Sequence, residues 1–268
     1  MSRRRALAMR LFVTSVGALL SFAAPHLARA EQRDLPVPPA SPVSEAARSG
    51  SFLPLTLPAD VGGARILTAA YAGYDSAARA SRLLAFVDAR LYGPLAFRLG
   101  AQSAGASGRV APSAAARLQF LSEATLGLDA ALSVAYNAEG FTEFEGEIEA
   151  ALAFGKTFGS WRLLANVAYG QDPEGRERDG EFRAAALHRF GASYYAGFDG
   201  RCRIDLGADT AELREHDESA LDVDLGPVMN LVLGPVIFGV HAGFSAVQPG
   251  DRDTRFGVVA LAGIGSGL

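Results

Sequence analysis

The chain alternates between apolar and polar residues with a period of two over much of its length. From Ala124 to Asn137 every even-numbered residue is apolar, whereas the odd-numbered positions include Thr125, Asp129 and Ser133. Successive side chains of a β-strand point to opposite faces, so this pattern predicts a strand with one wholly apolar face. The same alternation recurs in segments 82–91, 95–102 and 161–169.

The sharpest alternation lies between residues 143 and 154. Phe144, Ile148 and Leu152 fall on one side of this segment, and four glutamates fall on the other, at positions 143, 145, 147 and 149. The apolar residues are also spaced i, i+4 and i+8, so the periodicity of this segment taken alone fits a helix as well. The neighbouring strand patterns favour a strand here.

Short connectors and longer polar connectors alternate strictly along residues 64–268. The short ones are Tyr92-Gly93-Pro94, Ser122-Glu123, Phe158-Gly159-Ser160, Asp199-Gly200 and Gly234-Pro235. The polar ones lie around residues 75–79, 103–113, 137–142, 171–180, 214–219 and 248–254. These connectors separate about 12 strands, an even number, and both ends of the domain fall on the short-turn side. Together they predict an all-β fold, a transmembrane up-and-down antiparallel β-barrel, in which 10 or 14 strands also fit because residues 181–198 could hide another turn.

Strand length and residue type agree with a membrane barrel. Most segments have at least the 9 to 11 residues or so that a tilted membrane strand needs, and aromatic residues stand near several segment ends. The uncharged stretch Leu225 to Gly250 is long enough for a transmembrane helix, but its Gly and Pro residues favour two strands joined at Gly234-Pro235. A soluble β-barrel or sandwich, packing the apolar faces on a core, is the main competing fold.

The first 63 residues differ in texture from the rest. Arg3 to Arg5, an apolar run from Leu11 to Ala24 and Ala28-Arg29-Ala30 together predict a signal peptide over residues 1–30, cleaved near Ala30. Residues 31–63 hold six prolines and are predicted to form an extended periplasmic tail or linker. The barrel is expected to begin at residue 64.

Composition excludes several classes of protein. With 49% hydrophobic residues and a single cysteine, the chain is neither disordered nor a disulfide-stapled domain. Only one of the 25 basic residues is a lysine, and no basic run follows the leader, so no nucleic-acid partner is expected. Cys202 is predicted to face outward with the apolar residues. No metal-ligand spacing or phosphate loop is found, and no cofactor is predicted.

At the level of architecture, residues 64–268 resemble bacterial outer-membrane β-barrel proteins. The features that carry the resemblance are the leader, the alternating strands, the rhythm of turns and loops, and an apolar last strand, Phe256 to Ile264. The chain departs from that class by ending in Gly267-Leu268 where an aromatic residue is usual. The resemblance implies location in the outer membrane, with the lipid bilayer, the outer-membrane insertion machinery and small solutes as partners.

If the barrel spans a membrane, the polar faces look inward. The predicted lumen-lining residues are Arg82, Asp88, Arg90, Arg98, Asp129, Glu143, Glu145, Glu147, Glu149, Arg162, Arg183, Arg189, Arg201, Arg203, Asp205, Asp222, Asp224 and His241, with Arg117 and Asp209 on the same faces. Acidic and basic side chains nearly cancel in this set. The balance predicts either a lumen cross-linked by salt bridges or a narrow, weakly selective passage. The expected function is a passive pore for small solutes or a structural wall protein.

The glutamate row at 143–149 is expected to form a solvated mouth of the barrel, with Arg176 and Arg178 as candidate partners. A Ca²⁺ or cationic-solute site is the alternative.

An enzyme is not predicted. His241 and Ser245 are four residues apart, or about 13 Å along a strand, too far for a nucleophile and its base. His188 and His216 have no catalytic partner in the pattern. A soluble periplasmic protein that binds an apolar ligand ranks second, and a lipid-modifying outer-membrane enzyme third.

Overall fold

The computed structural model describes residues 42–60, 65–104, 109–141, 146–173, 178–207, 219–249 and 252–268. The predicted signal peptide, the tail up to residue 41, and residues 143, 145, 176, 209 and 216 lie outside these ranges. Twelve strands and two helices form the described structure. They are α1 (Pro42–Ser49), β1 (Ile66–Asp75), β2 (Ala80–Tyr92), β3 (Leu95–Ala104), β4 (Arg109–Leu121), α2 (Glu123–Leu126), β5 (Asp129–Ala138), β6 (Gly146–Phe158), β7 (Trp161–Gln171), β8 (Arg178–Phe190), β9 (Tyr194–Asp205), β10 (Ser219–Leu233), β11 (Val236–Pro249) and β12 (Arg255–Gly267).

Each strand pairs antiparallel with its sequence neighbours, and β1 also pairs with β12, so the sheet closes into a barrel. The closing ladder runs from the pair Leu67 and Gly267 to the pair Asp75 and Val259. Closure leaves no free sheet edge, which hydrocarbon requires because lipid offers backbone groups no hydrogen-bond partner. The predicted fold class, an up-and-down barrel of 12 strands, is confirmed.

The period-two pattern sorts side chains between the two faces of the wall. In β5, Leu132, Val134 and Tyr136 are exposed on the outside, whereas Asp129 and Ser133 are buried inside. The other strands follow the same rule, so the outer surface carries a broad apolar belt. A barrel with an apolar exterior and a polar interior is the arrangement that a lipid bilayer stabilises.

Two connectors differ from the sequence prediction. The turn between β8 and β9 lies at residues 191–193, where Gly191 has a positive φ of 82°, and Asp199-Gly200 lies inside β9 instead. Asp and Gly are typical turn residues, but the ladder continues through them because Asp199 finds partners inside the barrel. The connector after β4 is longer than predicted, since α2 occupies residues assigned to the next strand.

The corrected turn also places His188. This residue lies three residues before the turn, at the end of the barrel that carries the short connectors. On the outer face there, its ring packs against Trp161 with centroids 4.8 Å apart and against Phe190 at 4.3 Å. Phe190 in turn contacts Tyr194. This aromatic group is suited to the membrane interface, where amphipathic rings concentrate.

The uncharged stretch from residue 225 to 249 forms β10 and β11, joined at Gly234-Pro235 as predicted. No helix among the described residues is long and apolar enough to cross a membrane.

Residues 42–60, hereafter the lumen segment, lie inside the barrel. Helix α1 contacts β10, β11 and β12, and the chain that follows it is buried, with Phe52 and Ala59 fully inaccessible. The structure therefore replaces the expected extended tail with an interior element over this range. The prolines made the segment resemble a linker. Its apolar side chains, such as Leu53, pack against the wall instead, because removing apolar surface from water lowers the free energy of the folded chain.

Candidate functional site

The barrel interior is the candidate functional site, and it has two chemically different ends. The short-turn end contains the tight connectors that follow β2, β4, β6, β8 and β10. The long-loop end contains the connectors that follow β1, β3, β5, β7, β9 and β11. Charged side chains line both ends, but the lumen segment fills mainly the short-turn half, where its contacts with the wall are concentrated.

At the long-loop end, Arg183 of β8 anchors a network of ion pairs. Its guanidinium lies 2.7 Å from a carboxylate oxygen of Glu149 and 2.8 Å from one of Glu181. Arg201 of β9 approaches Glu181 at 3.7 Å and so extends the network to the next strand. All four side chains are largely buried, and each carboxylate has a cationic neighbour, as a low-polarity interior requires.

The network continues around the wall. Arg201 donates to Asp222 at 2.6 Å and to Asp224 at 3.1 Å, both on β10. Arg82 of β2 donates to Asp75 at 2.6 Å and lies 3.7 Å from Asp222. Arg82 therefore links β2 to β10 across the interior, past the place where β1 and β12 close the barrel.

Arg203 completes this belt by pairing with Asp179 and with Glu147, the latter at 3.3 Å. Among the described residues of the long-loop network, seven carboxylates meet four guanidinium groups. The acids are Asp75, Glu147, Glu149, Asp179, Glu181, Asp222 and Asp224, and the bases are Arg82, Arg183, Arg201 and Arg203. The network is held together by pairing, yet it carries an excess of negative charge.

The short-turn end holds two smaller clusters. In the first, Asp88 of β2 accepts hydrogen bonds from Arg98 at 2.8 Å and from Arg117 at 3.1 Å. The Arg98 guanidinium also lies over the ring of Phe86, 3.9 Å from its centroid. A carboxylate shared by two arginines carries a local positive excess, opposite in sign to the long-loop network.

The second short-turn cluster centres on Arg162 of β7. Arg162 donates to Glu123 and to Asp129, each at 2.7 Å, and lies 3.8 Å from Asp60 of the lumen segment. Glu123 also accepts from the backbone and side chain of Thr157. The cluster therefore ties α2, three strands (β5, β6 and β7) and the lumen segment together.

The lumen segment is held mainly through its own backbone. Asn230 and Tyr71 both donate to the Phe52 carbonyl, at 3.1 Å and 3.2 Å. Asn166 accepts from the Leu57 amide at 2.8 Å and donates to the Leu57 carbonyl at 3.1 Å. Because an irregular segment in a barrel has no sheet ladder, these side chains satisfy its buried polar groups.

Most sequence-predicted lumen residues lie on the interior face. Besides the residues of the clusters above, Arg189, Asp205 and His241 alternate with outward residues in the same way, and His241 is only 1% exposed. Arg90 is on the same face of β2 but is exposed near the turn, where it donates to the Gly93 carbonyl. Cys202, on the outward face of β9, is covered by its neighbours.

Several interior residues were missed from the sequence. Asp75 and Asp179 had been assigned to loops and Asp199 to a turn, because acidic residues next to Gly or Ser read as connectors. Asn166, inside the alternating segment 161–169, was not predicted as a lumen-lining residue. Alternation alone could have placed Asp179 and Glu181 in register with Arg183, because they are spaced two apart.

Of the four glutamates in the row, Glu147 and Glu149 are in β6, and positions 143 and 145 lie outside the described residues. Arg178 begins β8, and the pairing of Glu147 is with Arg203 instead. Within the described part of the chain, no group of three or more His, Cys, Asp or Glu side chains could hold a metal ion.

The sequence matches no protein-family model and no curated protein. Its fold, however, is similar to those of solved porins. The NanC porin shares 9% identity with this chain, with a TM-score of 0.57 over 75% of this chain and 100% of that one. The KdgM porin, solved with a disordered oligogalacturonate, also shares 9% identity, with a TM-score of 0.52 over 75% and 99%. The chain has the β-barrel fold of outer-membrane porins, and the expected resemblance to that class is confirmed.

Proposed function

We propose that the protein is a passive outer-membrane channel for small solutes, oriented with its short turns toward the periplasm. The observation that carries this proposal is the lumen itself. A continuous wall of 12 strands surrounds it, and charged, paired side chains line it. Eight strands leave an interior filled by side chains and sixteen leave a wide channel, so 12 strands enclose a narrow one. Insertion by the outer-membrane assembly machinery belongs to the same proposal.

The long-loop network gives this channel a preference for cations. The near balance of acids and bases along the sequence predicted a lumen cross-linked by salt bridges or a weakly selective passage, but the charges are separated by depth. Near the long loops carboxylates outnumber guanidinium groups, and a ring of surplus negative charge attracts cations into a narrow passage. Solutes would meet this network before they reach the lumen segment.

A catalytic role is not part of the proposal. The two residues with the most suggestive spacing, His241 and Ser245, both face the lumen, and the Ser245 hydroxyl donates to Asp75 at 3.0 Å. The hydrogen bond of Ser245 is thus part of the ion-pair network at the long-loop end.

Single-channel recording tests the proposal directly. Protein purified from outer membranes and added to planar lipid bilayers should produce discrete conductance steps. Heat-modifiable gel mobility, which reports the closed barrel, should accompany them. A folded barrel that stays silent, both as the full chain and without the lumen segment, would favour a structural role for the wall instead.

Charge selectivity provides a sharper prediction. Replacing Glu147 by Gln should shift the reversal potential in a salt gradient toward anion permeability, because it removes one charge from the surplus at the long-loop end. Lys156→Gln is the matched control, since this residue is on the same strand but on the outer face, beside Phe158. Equal shifts for the two variants, or none for Glu147→Gln, would mean that the network does not line the solute path.

A further inference from the structure

The wall of the short-turn half carries polar groups whose partners come from the lumen segment. Asp199 of β9 is fully buried, and its two carboxylate oxygens accept hydrogen bonds from the Leu55 amide at 3.0 Å and from the Thr56 hydroxyl at 2.5 Å. Among the described residues no arginine or lysine forms an ion pair with it. A buried carboxylate with no cation beside it is costly, and here one backbone amide and one hydroxyl of the lumen segment stabilise it.

Asn166 of β7 recognises the segment in a second way. Its side-chain amide forms two hydrogen bonds with the amide and carbonyl of one residue, Leu57. One donor and one acceptor of Asn166 thus pair with the two backbone groups of a single residue, as in a β-ladder. The interaction does not depend on which side chain that residue carries. Asn166 has no exposed surface, so its amide is matched to the segment.

A slot in the wall receives the side chain of Phe52. Its ring stacks against Tyr71 with centroids 4.9 Å apart. A β-carbon on Gly239 would lie 2.7 Å from the ring, and one on Gly265 would lie 2.5 Å from it. Any larger residue at these two glycines would invade the slot, so the wall is shaped to an aromatic ring at this point.

The segment crosses the lumen from one wall to the opposite wall. The Phe52 carbonyl accepts from Tyr71 of β1 and from Asn230 of β10, whereas Leu57 pairs with Asn166 of β7, which is six strands from β1 in a closed ring of 12. Between these anchors the chain bends at Pro54 and Leu55. Pro54 and Pro58 have no amide hydrogen that would need a partner inside the barrel. A segment that reaches both sides of the lumen obstructs it.

From these contacts we propose that the short-turn half of the lumen is a peptide-binding site for an apolar segment with an aromatic anchor. Its resident ligand is residues 50–60, whose occupancy closes the channel. The proposal rests on the channel function above. The segment contributes no strand to the barrel, and the β1–β12 ladder closes the sheet without it. Covalent attachment gives the segment a high effective concentration at its site, so a site of modest intrinsic affinity stays occupied.

Deletion of residues 42–60 and competition with a peptide test this site. In planar bilayers, the deletion variant should conduct at least severalfold more than the full chain, with equal heat-modifiable mobility. A synthetic peptide of residues 50–60, Gly-Ser-Phe-Leu-Pro-Leu-Thr-Leu-Pro-Ala-Asp, should then block that current in a concentration-dependent manner. The same peptide with Phe52→Ala should require at least tenfold more for half-block.

Full-chain variants provide an independent route if the deletion impairs folding. Gly239→Leu fills the Phe52 slot and should raise the conductance of the full chain. The matched control is Arg48→Ala, because this residue belongs to the same segment but is exposed on α1. In the deletion background, Asn166→Ala should weaken peptide block at least tenfold.

The outcomes separate this inference from the channel proposal. Silence of the full chain and of the deletion variant, both folded, would reject the channel. Equal conductance with and without the segment, or block that is insensitive to Phe52→Ala and Asn166→Ala, would reject the peptide site and leave the channel standing. A silent full chain with a conducting deletion variant would support both.

Discussion

Replacing Arg183 by Met should lower the free energy of unfolding by about 3–5 kcal/mol, the usual effect of removing one partner from a buried ion pair. Arg183 lies between Glu149 and Glu181, whose side chains are 11% and 6% exposed, and it is the nearest cation to both. Without it, the carboxylates of Glu149 on β6 and Glu181 on β8 would have lost their shared cation, with little water to screen them. Urea unfolding in lipid vesicles, followed by the fluorescence of the single Trp161, measures the change.

Two further variants distinguish lost pairing from lost side-chain volume. Arg189→Met is the matched control, on the same strand and the same interior face, and should change stability by less than about 1 kcal/mol, because its guanidinium forms no ion pair with a residue that the structure describes. Adding Glu149→Gln and Glu181→Gln to Arg183→Met should restore much of the loss, because the unpaired charges disappear. If the triple variant were as unstable as the single one, electrostatics would not explain the role of Arg183.

Introducing Arg at Leu152 should destabilise the barrel by about 2–4 kcal/mol in a bilayer, the range for a cation at the midplane of a membrane strand. Leu152 is in the middle of β6 and points outward, and its ladder partners Leu132 and Val167 are also exposed apolar residues. The same vesicle unfolding experiment measures the effect, with heat-modifiable mobility as a check on folding.

The control for the lipid-facing prediction is Phe158→Arg. Phe158 ends β6 at the short-turn end, where a charge reaches water and should cost no more than about 1 kcal/mol. A soluble barrel would behave differently, since both substitutions would then be at a hydrated surface and change stability by about 0.5 kcal/mol or less. A small effect at both positions would therefore argue against a membrane environment for this face.

A charge is stable only where it has water or a partner, and this explains why the interior is rich in charge while the exterior carries almost none. On the outside, a charge has neither water nor a partner, so the strands expose leucine, valine and phenylalanine. On the inside, neighbouring strands bring opposite charges to the same level, as with Arg201, Asp222 and Asp224. Pairing across the ladder thus stabilises the barrel and at the same time fixes the charge that a solute would meet.

Local patterns were sufficient to predict much of the candidate site. Arg183, Arg201 and Arg203 were assigned to the interior because each alternates with outward residues, a property that depends only on the pleat of a strand. Asp199 was missed for the opposite reason. The dipeptide Asp199-Gly200 is typical of a turn. Only the distant hydrogen-bond partners of Asp199, Leu55 and Thr56, explain why it lies within β9.

The sequence by itself determined the class of the fold, a barrel of about 12 strands, and the face of most charged residues within the predicted strands, because period two and turn residues are local properties of the chain. Only the tertiary structure decided which acids pair with which arginines, since those contacts depend on register between strands far apart in sequence. It also decided the place of residues 42–60. No local pattern shows that a proline-rich segment has a matching slot, because the slot exists only once Tyr71, Gly239 and Gly265 have been brought together by barrel closure.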